Sequence, residues 1–321
     1  MMRPSPEHAR SSIRGVDTMQ HFNLGNRTIG SISEINPTHH YIRGSDGRLL
    51  HAVEWGHGND CCLLIHGLGD NCRVWDEVAA PFADFYRTLA VDLRGHGDSE
   101  WNPNGQYQVE CHVADLERLI ENLGLQRILL VGHSMGGNIA FRLAARRRSA
   151  IAAVISVDFG PNLNTMTMKY LHRQLRSAHQ VYSSVAQYEG WLASKQPLVG
   201  ADTVRRMARS AVRRHPDGKF RLKADPKTTT VAESALENEA ELWALLASIS
   251  CPALVVRGAA SAILPQQVAR RMVDVLPNSQ FRLVDCAGHA VIIDNPQGFI
   301  NGILPFVRGL GTASPRGRRS A

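Results

Sequence analysis

The sequence predicts an α/β fold: a mostly parallel sheet covered by helices on both faces, with a helical segment inserted between two strands. Three observations predict it. Short apolar strands alternate with helical stretches along most of the chain, as in a parallel sheet buried on both sides. A Gly-x-Ser-x-Gly stands between one such strand and the next helix. Residues 161–240 then break the alternation with a basic, mostly helical stretch.

The elements follow in order. "HHYIRG" and "RLLHAVEWG" flank the turn-forming Ser45-Asp46-Gly47 and predict a hairpin. "CCLLIHG" is a short apolar strand, "VWDEVAAPFA" a helix and "RTLAVDLRG" a strand. A helix is expected over 108–123, with Val109, Val113, Leu116, Leu119, Ile120 and Leu123 on one face. "RILLVGHS" predicts a strand, "MGGNIAFRLAARRR" a helix and "IAAVISVDFG" a strand. Asp217-Gly218 predicts a hairpin turn closing the insertion. Strand "PALVVRG", helix "QQVARRMVDVL", strand "FRLVDCAG" and a helix near 296–308 complete the pattern. The expected organisation is a core over 35–160 and 241–310 with a helical cap over 161–240. A flexible extension (1–34) and a basic flexible tail (311–321) flank it. A cap there would lie over the carboxyl edge of the sheet, where open α/β folds bind ligands.

The chain has 321 residues, 44% hydrophobic and 20% charged, enough for a full core. Its charge of +7 is uneven: residues 161–230 hold 13 Lys or Arg against 4 Asp or Glu. Residues 308–321 add four Arg, so the rest is mildly acidic. No zinc-finger spacing or RNA-binding signature accompanies the basic segment, which argues against nucleic acid as a partner. No run approaches the roughly 18 apolar residues of a membrane span. The N-terminal residues carry no apolar signal region. Six cysteines without a C-x-x-C pair predict free thiols and a cytoplasmic protein.

Three stretches carry chemistry. In "VGHSMGG", Gly132 and Gly136 flank Ser134 and permit a sharp strand-to-helix turn that exposes its hydroxyl. In "LLIHGLGDN", the turn after His66 can aim the Leu68 N–H at the same point as the Met135 N–H, forming an oxyanion hole. His66 itself is expected to brace that loop. In "CAGHAVIIDNP", His289 follows the last strand and can take a proton from Ser134.

With "HGLG", "DLRGHGDS", "GHSMGG" and "AGH" in place, the chain from about 38 to 308 resembles the α/β-hydrolase fold superfamily. The resemblance implies Ser134 as nucleophile, His289 as base and a helical cap lining the acyl pocket. It also implies a structural role for Asp92, Arg94 and His96. Many relatives carry the acid in a pattern like R-G-x-x-S-D-x-L. Here Arg257-Gly258-Ala259-Ala260-Ser261-Ala262-Ile263-Leu264 has alanine in its place. The family's second solution sets the acid at the end of the strand before the cap, where this chain has Asp158. Some dehalogenases and acetamidomethylene-succinate hydrolases resemble that arrangement. Asp158 is the preferred acid; a Ser-His dyad, Asp285, or a silent relative that only binds ligands are the alternatives.

Arg205, Arg209 and Arg213 recur at helical spacing, as a solvated face or as partners for an anionic group on the substrate, with Arg209 and Arg213 favoured for that contact. The expected function is a cofactor-independent serine hydrolase, without a metal, acting on a small ester, lactone or related acyl bond. The alternatives are a ligand-binding protein with little turnover and an amide or C–C bond hydrolase of the same superfamily. The expected partner is a small-molecule acyl substrate, anionic if the arginines serve it, and the oligomeric state is unassigned.

Overall fold

Leucine- and valine-rich runs of five to eight residues pair into a sheet that is apolar on both faces, because helices cover both. The computed structural model describes residues 37–231 and 239–311, and also 23–24 and 27–28. Those last four form an antiparallel pair by themselves, β1 (Asn23–Leu24) and β2 (Arg27–Thr28). The rest of the expected extension, the stretch 232–238 and the tail from 312 lie outside the described residues.

The hairpin of β3 (Thr38–Arg43) and β4 (Leu49–Trp55) turns where expected, with Gly47 at φ +83°. β5 (Asp60–Ile65), α1 (Asp76–Ala83), β6 (Arg87–Val91) and α2 (Val109–Asn122) follow. Then come β7 (Gln126–His133), α3 (Met135–Arg146) and β8 (Ile151–Val157). The segment after β8 holds α4 (Thr165–Ala178), α5 (Val185–Lys195), α6 (Ala201–Ala211), β9 (Val212–Arg214), β10 (Phe220–Leu222) and α7 (Thr228–Val231). α8 (Glu239–Ala247), β11 (Ala253–Gly258), α9 (Gln266–Val275), β12 (Ser279–Val284), α10 (Val291–Asp294) and α11 (Pro296–Gly309) complete the chain.

The main sheet has the order β12-β11-β8-β7-β5-β6-β4-β3. β4 runs antiparallel to both its neighbours, and the pairs from β6 to β12 are parallel. Alternate residues feed two separate cores. In β5, Cys62 and Leu64 enter one, while Cys61, Leu63 and Ile65 enter the other. Each fully buried leucine there contributes about 1.5–3 kcal/mol. All six cysteines are free thiols.

Two of the inserted helices, α4 and α5, start on side-chain caps. Asn164 accepts the Thr167 N–H at 3.0 Å ahead of α4, and Ser184 accepts the Gln187 N–H at 3.1 Å ahead of α5. α6 ends at Ala211, because Val212 turns extended (φ −113°, ψ 154°) to begin the hairpin around Asp217-Gly218. The expected helical stripe of Arg205, Arg209 and Arg213 is thereby broken: Arg213 lies on β9.

Candidate active site

The register of the central strands positions two residues together. His133 at the end of β7 pairs with Val157 at the end of β8. The next residues, Ser134 and Asp158, therefore leave adjacent strands at the same level. Both take φ +52°, a left-handed conformation unusual for non-glycine residues. The flanking glycines make the Ser134 turn possible. A Cβ on Gly132 would lie 2.1 Å from the Gly136 carbonyl oxygen, and one on Gly136 would lie 2.2 Å from that of Ile65. Ser134 opens α3, so its hydroxyl stands at a helix N-terminus, where developing negative charge is favoured.

His289 follows β12 and meets both residues. Ser134 Oγ donates to its Nε2 at 3.0 Å, and its Nδ1–H donates to Asp158 Oδ2 at 2.8 Å. The Asp158 carboxylate is fully buried, while the His289 side chain keeps 18% of its surface exposed. Two further donors hold that carboxylate. Ser261 Oγ reaches Oδ2 at 2.6 Å, and the Gly258 N–H reaches Oδ1 at 3.2 Å. Both come from the end of β11 and its loop, the stretch in which Ala262 stands where the family resemblance implies an acid in many relatives. Asp285 is exposed, and it is its backbone carbonyl that accepts the Asn295 side-chain amide at 2.8 Å.

The turn after β5 packs directly on Ser134. A Cβ on Gly67 would lie 3.3 Å from Ser134 Cβ. Leu68 sits in that turn, before Gly69 at φ +80°. Met135 is the first residue of α3, so its N–H has no acceptor within the helix. His66 braces the turn as the sequence suggests: its Nδ1–H donates to the Gly67 carbonyl at 2.7 Å, and its Nε2 accepts the Leu93 N–H at 3.0 Å. Beneath it, Asp92 accepts from Cys72 N, His51 Nδ1 and Asp98 N at 2.6–2.9 Å. Burial alone would raise the Asp92 carboxyl, but these bonds and the nearby histidines outweigh it and hold the group at about 2. Arg94 donates twice to Asp115, at 2.6 Å each. The DLRGHGDS loop is thus a clamp.

Ser134 and His289 open into a cavity of about 480 Å³, within the range of small-molecule sites. Leu68, Gly69 and Asp70 line one side. The inserted segment lines another with Leu171, Leu175, Tyr188, Trp191, Leu192 and Met207. Tyr188 and Trp191 stack, with ring centroids 5.7 Å apart and planes at 15°. Among the described residues the one Lys or Arg in the lining is Lys195, exposed at the end of α5.

The two arginines expected at the substrate lie elsewhere. Arg209 lines a neighbouring cleft of about 410 Å³ with Arg73, Arg205, Arg206 and Lys223. Arg205 pairs with Asp202 at 2.6 Å, Arg206 with Glu77, and Lys223 with Asp98 at 2.8 Å. The Arg213 guanidinium stacks on Trp101, 5.1 Å from the ring centroid. Among the described residues one group has metal-ligating types close together, His51, Cys72 and Asp92, with ligand atoms within 4.8 Å. It lies under the HGLG turn, and the His51 and Asp92 atoms already bond each other.

Asp70, His133, Ser261 and the aromatic pair are site residues that the motifs did not single out. His133 Nε2–H donates to the His289 carbonyl at 2.9 Å, tying the end of β7 to the loop after β12. The only signal for it was its place inside Gly-x-Ser-x-Gly.

Residues 63–296 match the α/β-hydrolase fold family. A 2-(acetamidomethylene)succinate hydrolase of Mesorhizobium japonicum is 27% identical over 277 residues, covering 86% of this chain and 98% of its own. An esterase of Mycobacterium tuberculosis is 26% identical over 273 residues, covering 81% of this chain and 86% of its own. Among solved structures, an E-2-(acetamidomethylene)succinate hydrolase superposes with a TM-score of 0.78 at 25% identity, over 85% of this chain and 99% of that one. A match spanning most of the chain, on a sheet of this order, makes the protein an enzyme of the α/β-hydrolase fold family.

Proposed function

We propose that the protein is a serine hydrolase that cleaves a small ester, lactone or related acyl bond without a cofactor. The observation that carries this is the unbroken hydrogen-bond chain from Ser134 Oγ through His289 to Asp158. In the proposed reaction Ser134 Oγ attacks the carbonyl carbon and its proton passes to His289 Nε2. Asp158 holds the Nδ1–H, which fixes the tautomer and stabilises the imidazolium. The N–H groups of Leu68 and Met135 receive the oxyanion. His289 returns the proton to the leaving group, and water then releases the acyl group from Ser134 by the same steps.

Segment 161–240 acts as the cap: α4, α5 and α6 supply the apolar walls of the cavity and exclude water from the acyl-enzyme. Those walls favour an apolar or aromatic acyl group. A second proposal follows from the similarity to the Mesorhizobium enzyme over 86% of this chain, since that enzyme's name favours a dicarboxylate of the acetamidomethylene-succinate kind. In this chain Lys195, rather than Arg209 or Arg213, would meet such a carboxylate.

A fluorophosphonate probe tests the nucleophile. Wild type is expected to label rapidly at Ser134 and Ser134→Ala to stay unlabelled. Folded wild type that resists labelling would defeat the proposal and favour a ligand-binding role.

A further inference from the structure

Asp70 is a carboxyl group in the Ser134 cavity to which the proposed reaction gives no part. It ends the HGLG turn, its backbone N–H donating to the Gly67 carbonyl at 3.3 Å. Its carboxyl lies beside the nucleophile, since a Cβ on Gly67 would be 3.2 Å from Asp70 Oδ2 and 3.3 Å from Ser134 Cβ. The same Oδ2 stands 3.8 Å from His133 Nδ1.

That nitrogen is buried and has no hydrogen-bond partner. The other ring nitrogen decides what it carries. His133 Nε2 faces the His289 carbonyl at 2.9 Å, and a carbonyl can only accept, so Nε2 holds the proton of the neutral ring. The ring stays neutral because burial, then His289, push its pKa down to about 3. Nδ1 is therefore a bare lone pair facing a carboxyl oxygen. Ionised Asp70 would set two acceptors against each other; a protonated carboxyl in that place can donate.

We propose that Asp70 works as a positioning residue in its protonated form, donating to His133 Nδ1 and so tying the oxyanion turn, through His133, to the backbone of the base His289. The inference rests on the serine-hydrolase proposal above. The bond forms by a carboxyl movement of about 1 Å, which brings the pair to hydrogen-bond length. Loss of the proton removes the tie and leaves a negative charge next to the developing oxyanion.

The surroundings fit a neutral carboxyl. The 26% of the side chain that is exposed meets a cavity whose walls from α4, α5 and α6 are largely apolar, and burial pushes the group up to about 7, with His289 opposing. The groups that face it are His133 at the end of β7, His289 after β12 and Tyr188 on α5. The phenol of Tyr188 is pushed up by burial first, then by Tyr182 and Asp70. Tyr170 on α4, His179 after it, Lys195 at the end of α5 and Asp294 on α10 also line the cavity. Asp294 is likewise pushed up by burial but accepts the Gly288 N–H at 2.8 Å.

The test is the pH profile of kcat/KM on a neutral ester for full-length wild type, Asp70→Asn and Asp70→Ala. Wild type is expected to lose up to about tenfold per pH unit above the Asp70 titration. Asp70→Asn, whose amide donates at any pH, is expected to hold its plateau to higher pH. Asp70→Ala is expected to fall below wild type at neutral pH and to lack the break. Superimposable alkaline limbs for wild type and Asp70→Asn would overturn the proposal, as would an alanine variant equal to wild type. Infrared difference spectra of wild type and Asp70→Asn, each carrying 13C-aspartate, read the proton directly. A protonated carboxyl band that is present in wild type, missing from Asp70→Asn and lost between about pH 6 and pH 8.5 supports the proposal, and bands that the two proteins share throughout overturn it. Fluorophosphonate labelling separates the two failures: an unlabelled wild type defeats the hydrolase proposal, whereas a labelled enzyme with an unchanged profile defeats the role of Asp70 alone.

Discussion

Ser261 Oγ donates to Asp158 Oδ2 at 2.6 Å, and it does so from the residue directly before Ala262. The loop without a carboxylate thus supports the carboxylate of the neighbouring strand. Ser261 also accepts the Ile263 and Leu264 N–H groups, at 3.2 and 3.3 Å, so its hydroxyl is oriented by its own loop.

Ser261→Ala is expected to lower kcat about tenfold, since a buried hydrogen bond to a charged group is worth about 1.5–3 kcal/mol. Ser261→Thr, which keeps the hydroxyl, is expected to recover most of the loss. Steady-state kinetics on a reactive ester checks both.

Gly132→Ala and Gly136→Ala are expected to cost about 3 kcal/mol or more, because each new Cβ meets backbone rather than a movable side chain. Gly190→Ala, inside α5 with nothing within 4 Å of its added carbon, is expected to stabilise by about 0.5–1 kcal/mol. Thermal melts of the three variants decide, and a Gly136→Ala protein melting with wild type would contradict the account.

Buried histidines predict loss of stability in acid. His96 and His133 are pushed down to about 3, and His112 is pushed well below its ordinary value, in each case chiefly by burial. Their folded values lie below the ordinary 6.5, so the unfolded chain takes up protons first as pH falls. Stability is therefore whole above about 6.5 and declines below it, by up to about 1.4 kcal/mol per pH unit for each histidine. Urea midpoints across that range check this. His112→Phe is expected to flatten the slope.

Lys195→Glu is expected to raise KM for a carboxylate-bearing ester more than for its neutral analogue. Arg209→Glu is expected to affect the two alike, because Arg209 lines the other cleft. The opposite ranking would return the anion contact to α6.

The parts of the fold set by local pattern were legible. The parallel strands read as apolar runs, and the turns at Ser45–Gly47 and Asp217-Gly218 appear where glycine was needed. The arginine stripe failed at Val212, where hairpin pairing with Leu222 outweighed helical spacing. Ser134 and His289 were marked by motifs that end strands. Asp158 could only be preferred, because its rank depends on β8 lying between β7 and β11, a neighbour relation that no local pattern encodes. Asp70 was visible only as part of a turn. Its unusual environment is made by α4 and α5, about a hundred residues later in the chain.

The central claim is that Asp158 serves as the acid that the loop at Ala262 lacks, and the kcat of Asp158→Asn tests it most directly. An asparagine keeps the size of the side chain but removes the charge opposite the imidazolium. The expected loss is about ten-thousandfold, or roughly 5.4 kcal/mol at 1.36 per decade. Partial recovery is expected when Ala262→Asp is added, since that position lines the same cavity as His289. A variant within about threefold of wild type, less than about 1 kcal/mol, would reduce Asp158 to a turn former and contradict the triad.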